Sequence, residues 1–335
     1  MDKARVAIAE AQKSHSGKYS STLFNEAVSG YDQAMQLWAK ENDRIFFRRD
    51  YKKISDLAVK SEQKARLARE RSLNNIASFE KRLKKRIAEI EKIILLYDRN
   101  FNRIPIDNYL TKKEAKARIL FSEGKLAFNK KDYVVGAPKI DKAGEDIELV
   151  YNLSLKRIKE YFGKHEEWMK MAEKAIEESK RKSTQAILVD KFAGKCYLYD
   201  SGKLRHTWDA ELGKNWVGEK KMKGDKATPE GHYRVIDKKA GRETIYYKAL
   251  LINYPNDEDK QRFSISKKNG LIPRSAGIGN NIEIHGGGGR GANWTDGCVA
   301  LANNDMDKIY YAVQVGTPVT IVGSLRPFHE VFKLD

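Results

Sequence analysis

The chain is short of the residues that build crosslinks and metal sites. Its 335 residues include two cysteines, Cys196 and Cys298, and six histidines. Two cysteines exclude a disulfide scaffold and a cysteine-rich zinc module, leaving one disulfide or two free thiols. His206, His232 and His329 show no metal-ligand spacing relative to one another, so no metal is expected. No run of about 18 apolar residues occurs, so no transmembrane helix is expected. The first residues, Met1-Asp2-Lys3-Ala4-Arg5, lead into no apolar stretch of the kind a secretory signal contains. Hydrophobic residues make up 41% and aromatics 10%, enough for a packed core, which excludes wholesale disorder. The length predicts about two domains.

Glycine and proline are scarce in one half only. Residues 1–180 hold 6 of the 24 glycines and two of the seven prolines. That half is rich in Lys, Glu, Ala and Arg, a helix-forming composition. Helices are expected over 5–14, 23–42, 52–97, 113–128, 135–153 and 154–183. Ile76, Phe79, Leu83, Ile87, Ile90, Ile94 and Tyr97 recur at three- and four-residue spacing and form one apolar stripe. The segments 4–38 and 115–151 share a pattern of alanines, a turn and a second helix. This resembles tetratricopeptide-type hairpins and equally fits a plain helical bundle. Either arrangement positions or binds a partner rather than catalyses.

The second half carries short β-branched runs between Gly and Pro, the pattern of strands and turns. Strands are expected at 186–190, 196–199, 204–210, 231–237, 249–254, 281–285 and 317–322, with a helix over 304–313. Asp200-Ser201-Gly202 supplies hairpin-turn chemistry. His285 closes one strand and is followed by Gly286-Gly287-Gly288-Gly289-Arg290-Gly291. Thirteen residues after His285 comes Cys298, within Trp294-Thr295-Asp296-Gly297-Cys298. A glycine directly before a cysteine, where a loop runs into a helix, lets the backbone turn sharply and exposes the sulfur. It also aims N–H groups at the carbon the sulfur attacks. A histidine in reach can take the thiol proton, and an imidazolium or a helix N-terminus lowers the thiol pKa. A phosphate-cradle reading of the glycines is weak, because no Lys-Ser or Lys-Thr follows them.

These residues, in this order, resemble the L,D-transpeptidase catalytic domain (YkuD family) of bacterial cell-wall enzymes. An opening hairpin (187–204), then Gly224-Asp225-Lys226-Ala227-Thr228-Pro229-Glu230-Gly231, then His285 and Thr295-Asp296-Gly297-Cys298 carry the likeness. The resemblance implies an α+β multidomain chain: an all-α helical-hairpin domain at 1–182, a mostly-β sandwich-like catalytic domain at 184–325, and a tail at 326–335. It implies ping-pong acyl transfer without a cofactor. Cys298 would attack the diaminopimelate carbonyl of a tetrapeptide stem and expel the terminal D-Ala, and an amine would resolve the acyl-enzyme. His285 would be base and acid, oriented by the carbonyl of Gly286 or Gly287, and the N–H groups of Gly297 and Cys298 would hold the oxyanion.

The sequence departs from the commoner Ser-His-Gly-Cys-hydrophobic-Arg pattern. Asp296 stands at the second His and Ala300 at the Arg. This is similar to the YafK-type branch, which includes L,D-carboxypeptidases and an enzyme releasing Braun-type lipoprotein, so water is an alternative acceptor. A non-catalytic peptidoglycan-binding module is a further alternative. Thr295, Asp296, Trp294, Arg290 and Lys226 are candidate substrate contacts, with Thr295 also read as a structural hydrogen-bonding residue and Arg274 as a further cation for a stem carboxylate. Tyr246 and Tyr247 are lid candidates, with core or surface placement the favoured reading. Asn303 and Asn304 read as caps of the helix near Asp305. Cys196 reads as buried and inert.

The net charge is 64 − 46 = +18. The cations are interleaved with acids along the helices, and only Lys81-Arg82-Leu83-Lys84-Lys85-Arg86 is a dense cluster, so nucleic acid is not expected as a partner. Peptidoglycan stems are the expected partner, with an envelope protein on the helical domain. A periplasmic or envelope location is expected, with the export signal or anchor outside this chain.

Overall fold

The computed structural model describes residues 1–334, and these form two compact units. One comprises Met1–Leu95 and Asn108–Tyr151, and the other comprises Leu96–Asp107 and everything from Asn152 on. The helices are α1 (Asp2–Lys13), α2 (Ser16–Tyr19), α3 (Ser21–Asn42), α4 (Lys52–Phe101), α5 (Asn108–Asn129), α6 (Tyr133–Phe162) and α7 (His165–Lys182).

Small residues decide how the first unit packs. Ala7, Ala11, Ala27 and Ala65 form one cluster, with Ile8 and Phe24 against it. Alanine faces let helix backbones approach closely, and the Ser61 hydroxyl donates to the Ala27 carbonyl at 2.6 Å across that contact. The stripe on α4 meets a second cluster, in which Leu83 and Ile90 pack with Tyr19, Phe121, Tyr133 and Ile140. A Cβ on Gly124 of α5 would lie 2.6 Å from Ile140 Cγ1 of α6, so glycine sets that crossing. Helix α4 is 50 residues long, more than one 34-residue tetratricopeptide repeat. The alanine pattern shared by 4–38 and 115–151 falls on α1 with α3 and on α5 with α6, hairpins whose arms are of unequal length, 12 against 22 and 22 against 30 residues.

The expected break between 153 and 154 is absent. Helix α6 runs on to Phe162, and the chain turns at Gly163-Lys164. Gly136, Pro138 and Gly144 lie in the first half of α6, and no glycine or proline follows until Gly163, so nothing near 153 ends the helix. Among the described residues no helix is long and apolar enough to cross a membrane.

The second unit is built on one eight-stranded sheet, ordered β3-β2-β1-β8-β4-β5-β6-β7. Its strands are β1 (Gln185–Asp190), β2 (Lys195–Asp200), β3 (Lys203–Asp209), β4 (Gly231–Ala240), β5 (Lys248–Ile252), β6 (Glu283–His285), β7 (Val299–Ala300) and β8 (Pro318–Val322). Strand β4 joins its two halves. Residues 231–234 pair with β8, and Val235–Ala240 pair with β5 beyond a bulge between Val235 and Asp237. A bulge bends a strand and increases its twist, which curls the sheet. Helices α8 (Asp257–Lys268), α9 (Asn303–Ala312) and α10 (Phe328–Val331) complete the unit. Helix α8 is an addition to the expected elements. Its apolar residues have no helical period, and the capping box of Asn256 and Asp259 marks its start.

The end of the helical half belongs to the sheet's unit. Trp168 of α7 is 1% exposed and lies so close to Gly323 that a Cβ there would overlap its ring. Phe162 packs on Phe192 and Phe332 with centroids 4.8 and 5.7 Å away. Residues 326–335, read as a tail, thus contribute Phe332, 4% exposed, to this core. Phe101 reaches the same ring at 5.9 Å.

A buried ion pair sits beneath this cluster. The Lys191 ammonium donates to the carbonyls of Gly218 and Thr228 and to Glu230 Oε1 at 2.7, 2.9 and 2.7 Å, using all three protons. Glu230 also accepts from the Tyr161 hydroxyl and from Trp168 Nε1. Burial would raise the Glu230 pKa, yet the Lys191 charge and these bonds hold it below the ordinary carboxylate range. Removing one member strands a buried charge. Glu230→Ala is expected to destabilise the protein by about 3–5 kcal/mol in urea unfolding. Lys182→Ala, which removes an exposed helix pair, should cost about 0.5 kcal/mol or less. Equal effects would show that the buried pair does not hold the unit together.

Candidate active site

The site rests on one short strand pairing. Strand β6 runs parallel to β7, with Ile284 opposite Val299 and His285 opposite Ala300. Cys298, one residue before β7, therefore falls opposite Glu283, whose N–H donates to its Sγ at 3.4 Å. Side chains alternate along strands, so Glu283, His285 and Cys298 project from the same face, while Ile284 enters the core.

His285 is completely buried. Its Nδ1 lies 2.6 Å from the Gly286 carbonyl, which can only accept, so Nδ1 carries the proton. Nε2 is then the unprotonated nitrogen, and it has no hydrogen-bond partner. Tyr246 stacks on the ring at 3.5 Å and 9°, and Trp294 meets it edge-on at 5.8 Å. Burial holds the imidazole pKa below its ordinary value, against the bond to Gly286. The ring is held neutral in one tautomer.

The cysteine differs from the sequence expectation. Its pKa is not lowered. Burial pushes the thiol up to about 11, opposed by the Glu283 N–H and by the charge of Lys220. The expected helix terminus is also absent, because Gly297-Cys298 leads into β7 and the helix starts only at Asn303. The free protein therefore holds a neutral thiol beside a neutral imidazole.

The glycines around the pair are there for space. Gly297 has φ +134°, and a Cβ would lie 2.7 Å from the Ala227 carbonyl oxygen. That carbonyl belongs to the Gly224-Asp225-Lys226 loop, which Asp225 organises. Its carboxylate accepts from the N–H groups of Lys221, Met222 and Ala227 and from Lys220 Nζ. Beyond His285, the Gly287 N–H donates to Asn303 Oδ1 at 2.8 Å, so Asn303 secures the glycine loop; contrary to the expected capping role of Asn303 and Asn304, Ala302 is the N-cap of α9 and no side chain caps it. Gly286 is equally confined, since a Cβ would lie 2.8 Å from the same oxygen.

The candidate substrate contacts divide into two groups. Trp294 and Arg290 come together beside His285. The Arg290 guanidinium lies 3.6 Å over the Trp294 ring, and its Nε donates to the Gly287 carbonyl. Asp296 is exposed, and its charge adds to the rise in the thiol pKa. Thr295 is buried, and its hydroxyl is used inside the turn: it donates to the Cys298 carbonyl at 2.7 Å and accepts from the Gly297 N–H at 3.2 Å. It is a structural residue, and the Gly297 N–H expected at an oxyanion is already engaged. Lys226 and Arg274 are exposed, with no recorded contact to the Cys298–His285 face, and Lys226 presents its carbonyl to Asn215 N–H. Tyr247 is exposed and donates to Asp307.

One partner escaped the sequence reading, and another was read only as a lid candidate. Glu211, 9% exposed, accepts from the Gly291 N–H at 2.6 Å and from Trp294 Nε1 at 2.7 Å, holding the glycine loop and the indole together. Tyr246 is the other. Both lie more than 35 residues from His285 and carry no local spacing signal. Cys196 is buried and its thiol is pushed up to about 12 by that burial. Both cysteines are free. Among the described residues no group of three His, Cys, Asp or Glu is placed to hold a metal.

The fold and site thus define a β-rich domain with a buried histidine and a cysteine on one strand face. Residues 184–321 match the family model of the L,D-transpeptidase catalytic domain, YkuD, and this region of the chain is a domain of that family. No curated protein matches the sequence. Among solved structures, the Bdellovibrio bacteriovorus protein Bd1075 is 23% identical, with 44% of this chain and 52% of that chain covered and a TM-score of 0.34. Mycobacterium tuberculosis L,D-transpeptidase 1 is 17% identical, with 42% and 62% covered and a TM-score of 0.27. A Mycobacterium smegmatis L,D-transpeptidase is 14% identical, with 42% and 58% covered and a TM-score of 0.28. The match spans between about half and three-fifths of the length of these solved chains.

The neutral pair sets an expectation for thiol chemistry. Iodoacetamide should modify Cys298 slowly at pH 7, with the rate rising about tenfold per pH unit toward a plateau near pH 11. Cys196 should stay unmodified until the protein unfolds. A rate already at its plateau at pH 7 would mean an ionised thiol and contradict the burial argument.

Proposed function

We propose that the β-rich unit is a peptidoglycan-modifying cysteine acyltransferase, an L,D-transpeptidase working through Cys298. The observation that carries this reading is the unpartnered, buried Nε2 of His285 on the strand face that bears the cysteine sulfur. A base must have a free lone pair and a fixed direction, and the Nδ1 bond to Gly286 supplies both.

In the proposed reaction the thiol proton passes to His285 Nε2 as Sγ attacks the diaminopimelate carbonyl of a tetrapeptide stem. The carbonyl π electrons move to oxygen, and the Cys298 N–H stabilises that oxyanion. Collapse breaks the C–N bond, and the His285 proton goes to the departing D-Ala amine, leaving a thioester on Cys298. An acceptor amine then gives its proton to Nε2 and attacks the thioester; the C–S bond breaks, and Nε2 returns that proton to the departing Cys298 sulfur, restoring the neutral thiol and imidazole. A thiol with a pKa near 11 is a poor nucleophile until its proton moves, so transfer to His285 is coupled to attack rather than complete beforehand. Arg290 and Trp294, held by Glu211, would flank the stem, with the guanidinium facing a stem carboxylate. The helical unit would position the enzyme in the envelope, against a partner protein or the wall. A periplasmic location follows from such a substrate.

A hydrolytic reading is favoured by one feature. Ala300, at the position of the family's arginine, is fully buried and offers no cation, and exposed Asp296 replaces the second histidine. Water would then resolve the thioester, giving an L,D-carboxypeptidase or a lipoprotein-releasing amidase.

Product analysis decides between them. Incubation with diaminopimelate-containing tetrapeptide muropeptides, followed by mass spectrometry, should give cross-linked dimers that vanish with Cys298→Ala. Tripeptides without dimers would replace transfer by hydrolysis. No conversion of tetrapeptides or lipoprotein-linked muropeptides would overturn the catalytic reading in favour of a binding module. His285→Ala should lower turnover about 10²–10⁴-fold, the usual worth of a positioned acid–base group.

A further inference from the structure

The two most exposed large apolar side chains of the helical unit, Phe46 and Phe47, lie at one tip beside a third exposed apolar residue, Ile45. Helix α3 ends at Asn42, helix α4 begins at Lys52, and Ile45, Phe46 and Phe47 sit in the turn between them. They are 60%, 81% and 81% exposed. Such residues in a turn have no core to serve. The turn is nevertheless built. Arg49 donates to the carbonyls of Asn42 and Arg44 at 2.7 and 3.0 Å, the Tyr51 hydroxyl donates to Asn42 Oδ1, and the Asp50 N–H donates to Glu41 Oε1. These bonds hold the apolar tip outward.

The charge around the tip is one-sided. Residues 43–53 contain Arg44, Arg48, Arg49, Lys52 and Lys53 against Asp43 and Asp50, a net of 5 − 2 = +3. Arg44 pairs with Glu41, whereas Arg48, Lys52 and Lys53 form no ion pair among the described residues. We propose that the α3–α4 turn docks on an anionic lipid bilayer, with Ile45, Phe46 and Phe47 entering the headgroup–acyl boundary and Arg48, Lys52 and Lys53 on lipid phosphates. Apolar insertion flanked by basic residues is the chemistry of interfacial membrane binding, and each cation near an anionic surface adds to it. A protein partner fits less well. Three side chains of about 150–250 Å² each fall short of the roughly 800 Å² per partner of a stable protein interface.

The test is sedimentation of the full chain with phosphatidylglycerol–phosphatidylcholine vesicles, beside vesicles of phosphatidylcholine alone. Binding should require phosphatidylglycerol and weaken as salt rises from 0.1 to 0.5 M. Phe46→Ser/Phe47→Ser should lower the vesicle affinity by at least about tenfold. Arg48→Glu/Lys52→Glu/Lys53→Glu should abolish the preference for the anionic lipid. All five altered positions carry exposed side chains, so circular dichroism should be unchanged. Vesicle binding that is absent, indifferent to lipid charge or unaffected by either variant would overturn the proposal. So would a wild-type dimer in the absence of vesicles that Phe46→Ser/Phe47→Ser dissolves, since the tip would then serve a second copy. None of these readouts depends on Cys298, so they stand apart from the enzymatic reading.

Discussion

The parallel pairing of Glu283–His285 with Val299–Ala300 is the constraint on which the site depends. Two short parallel strands cannot be joined by a hairpin, so the chain must leave the end of β6 and return to the start of β7. Residues 286–298 make that circuit. It passes through Gly287, Gly289, Gly291 and Gly297, all at positive φ. Glycine is the residue that adopts these conformations without strain. The circuit is then secured by side chains from elsewhere: Glu211 on Gly291 and Trp294, and Asn303 on Gly287. The proximity of histidine and cysteine is thus a product of strand register, and the glycines serve the return path.

Burial then sets the chemistry of the pair. A low-dielectric surround disfavours charge on either group, lowering the imidazole pKa and raising that of the thiol. The proposed acyl transfer therefore starts from two neutral partners, and charge develops only as the proton and the sulfur move. In such a setting the orientation of one lone pair counts for more than a standing thiolate. Orientation is what the structure supplies, through the 2.6 Å contact with Gly286 and the stack of Tyr246.

The second unit draws on more of the chain than its strands. The Lys191–Glu230 pair is enclosed by Tyr161 and Trp168, residues of α6 and α7, and Phe101 and Phe332 bring two distant segments to the same aromatic cluster. Glu230 lies in the segment that also carries Gly224-Asp225-Lys226, so the loop beside Gly297 and the helical buttress share one stretch of chain. Helix content and compact unit consequently divide at different places: strands begin at Gln185, while the unit takes in residues from Asn152.

Much of this was legible in the order of residues. Helices and strands followed from apolar period and from the uneven use of glycine and proline, and His285, Gly297 and Cys298 stood out because local backbone demands leave marks at fixed spacing. Glu211 left none, and the roles that Tyr246 and Asn303 take were not the ones read from the sequence, because each acts through a contact made across the fold. The thiol pKa was misjudged for the same reason, since it depends on which groups exclude water around the sulfur. Sequence alone determined the α-then-β composition and the family likeness and singled out His285 and Cys298, all of which are written in short-range pattern. Only the tertiary structure decided which nitrogen of His285 is free, how the dyad is charged and which distant side chains hold it, because those are set by burial and by hydrogen bonds between residues far apart in the chain.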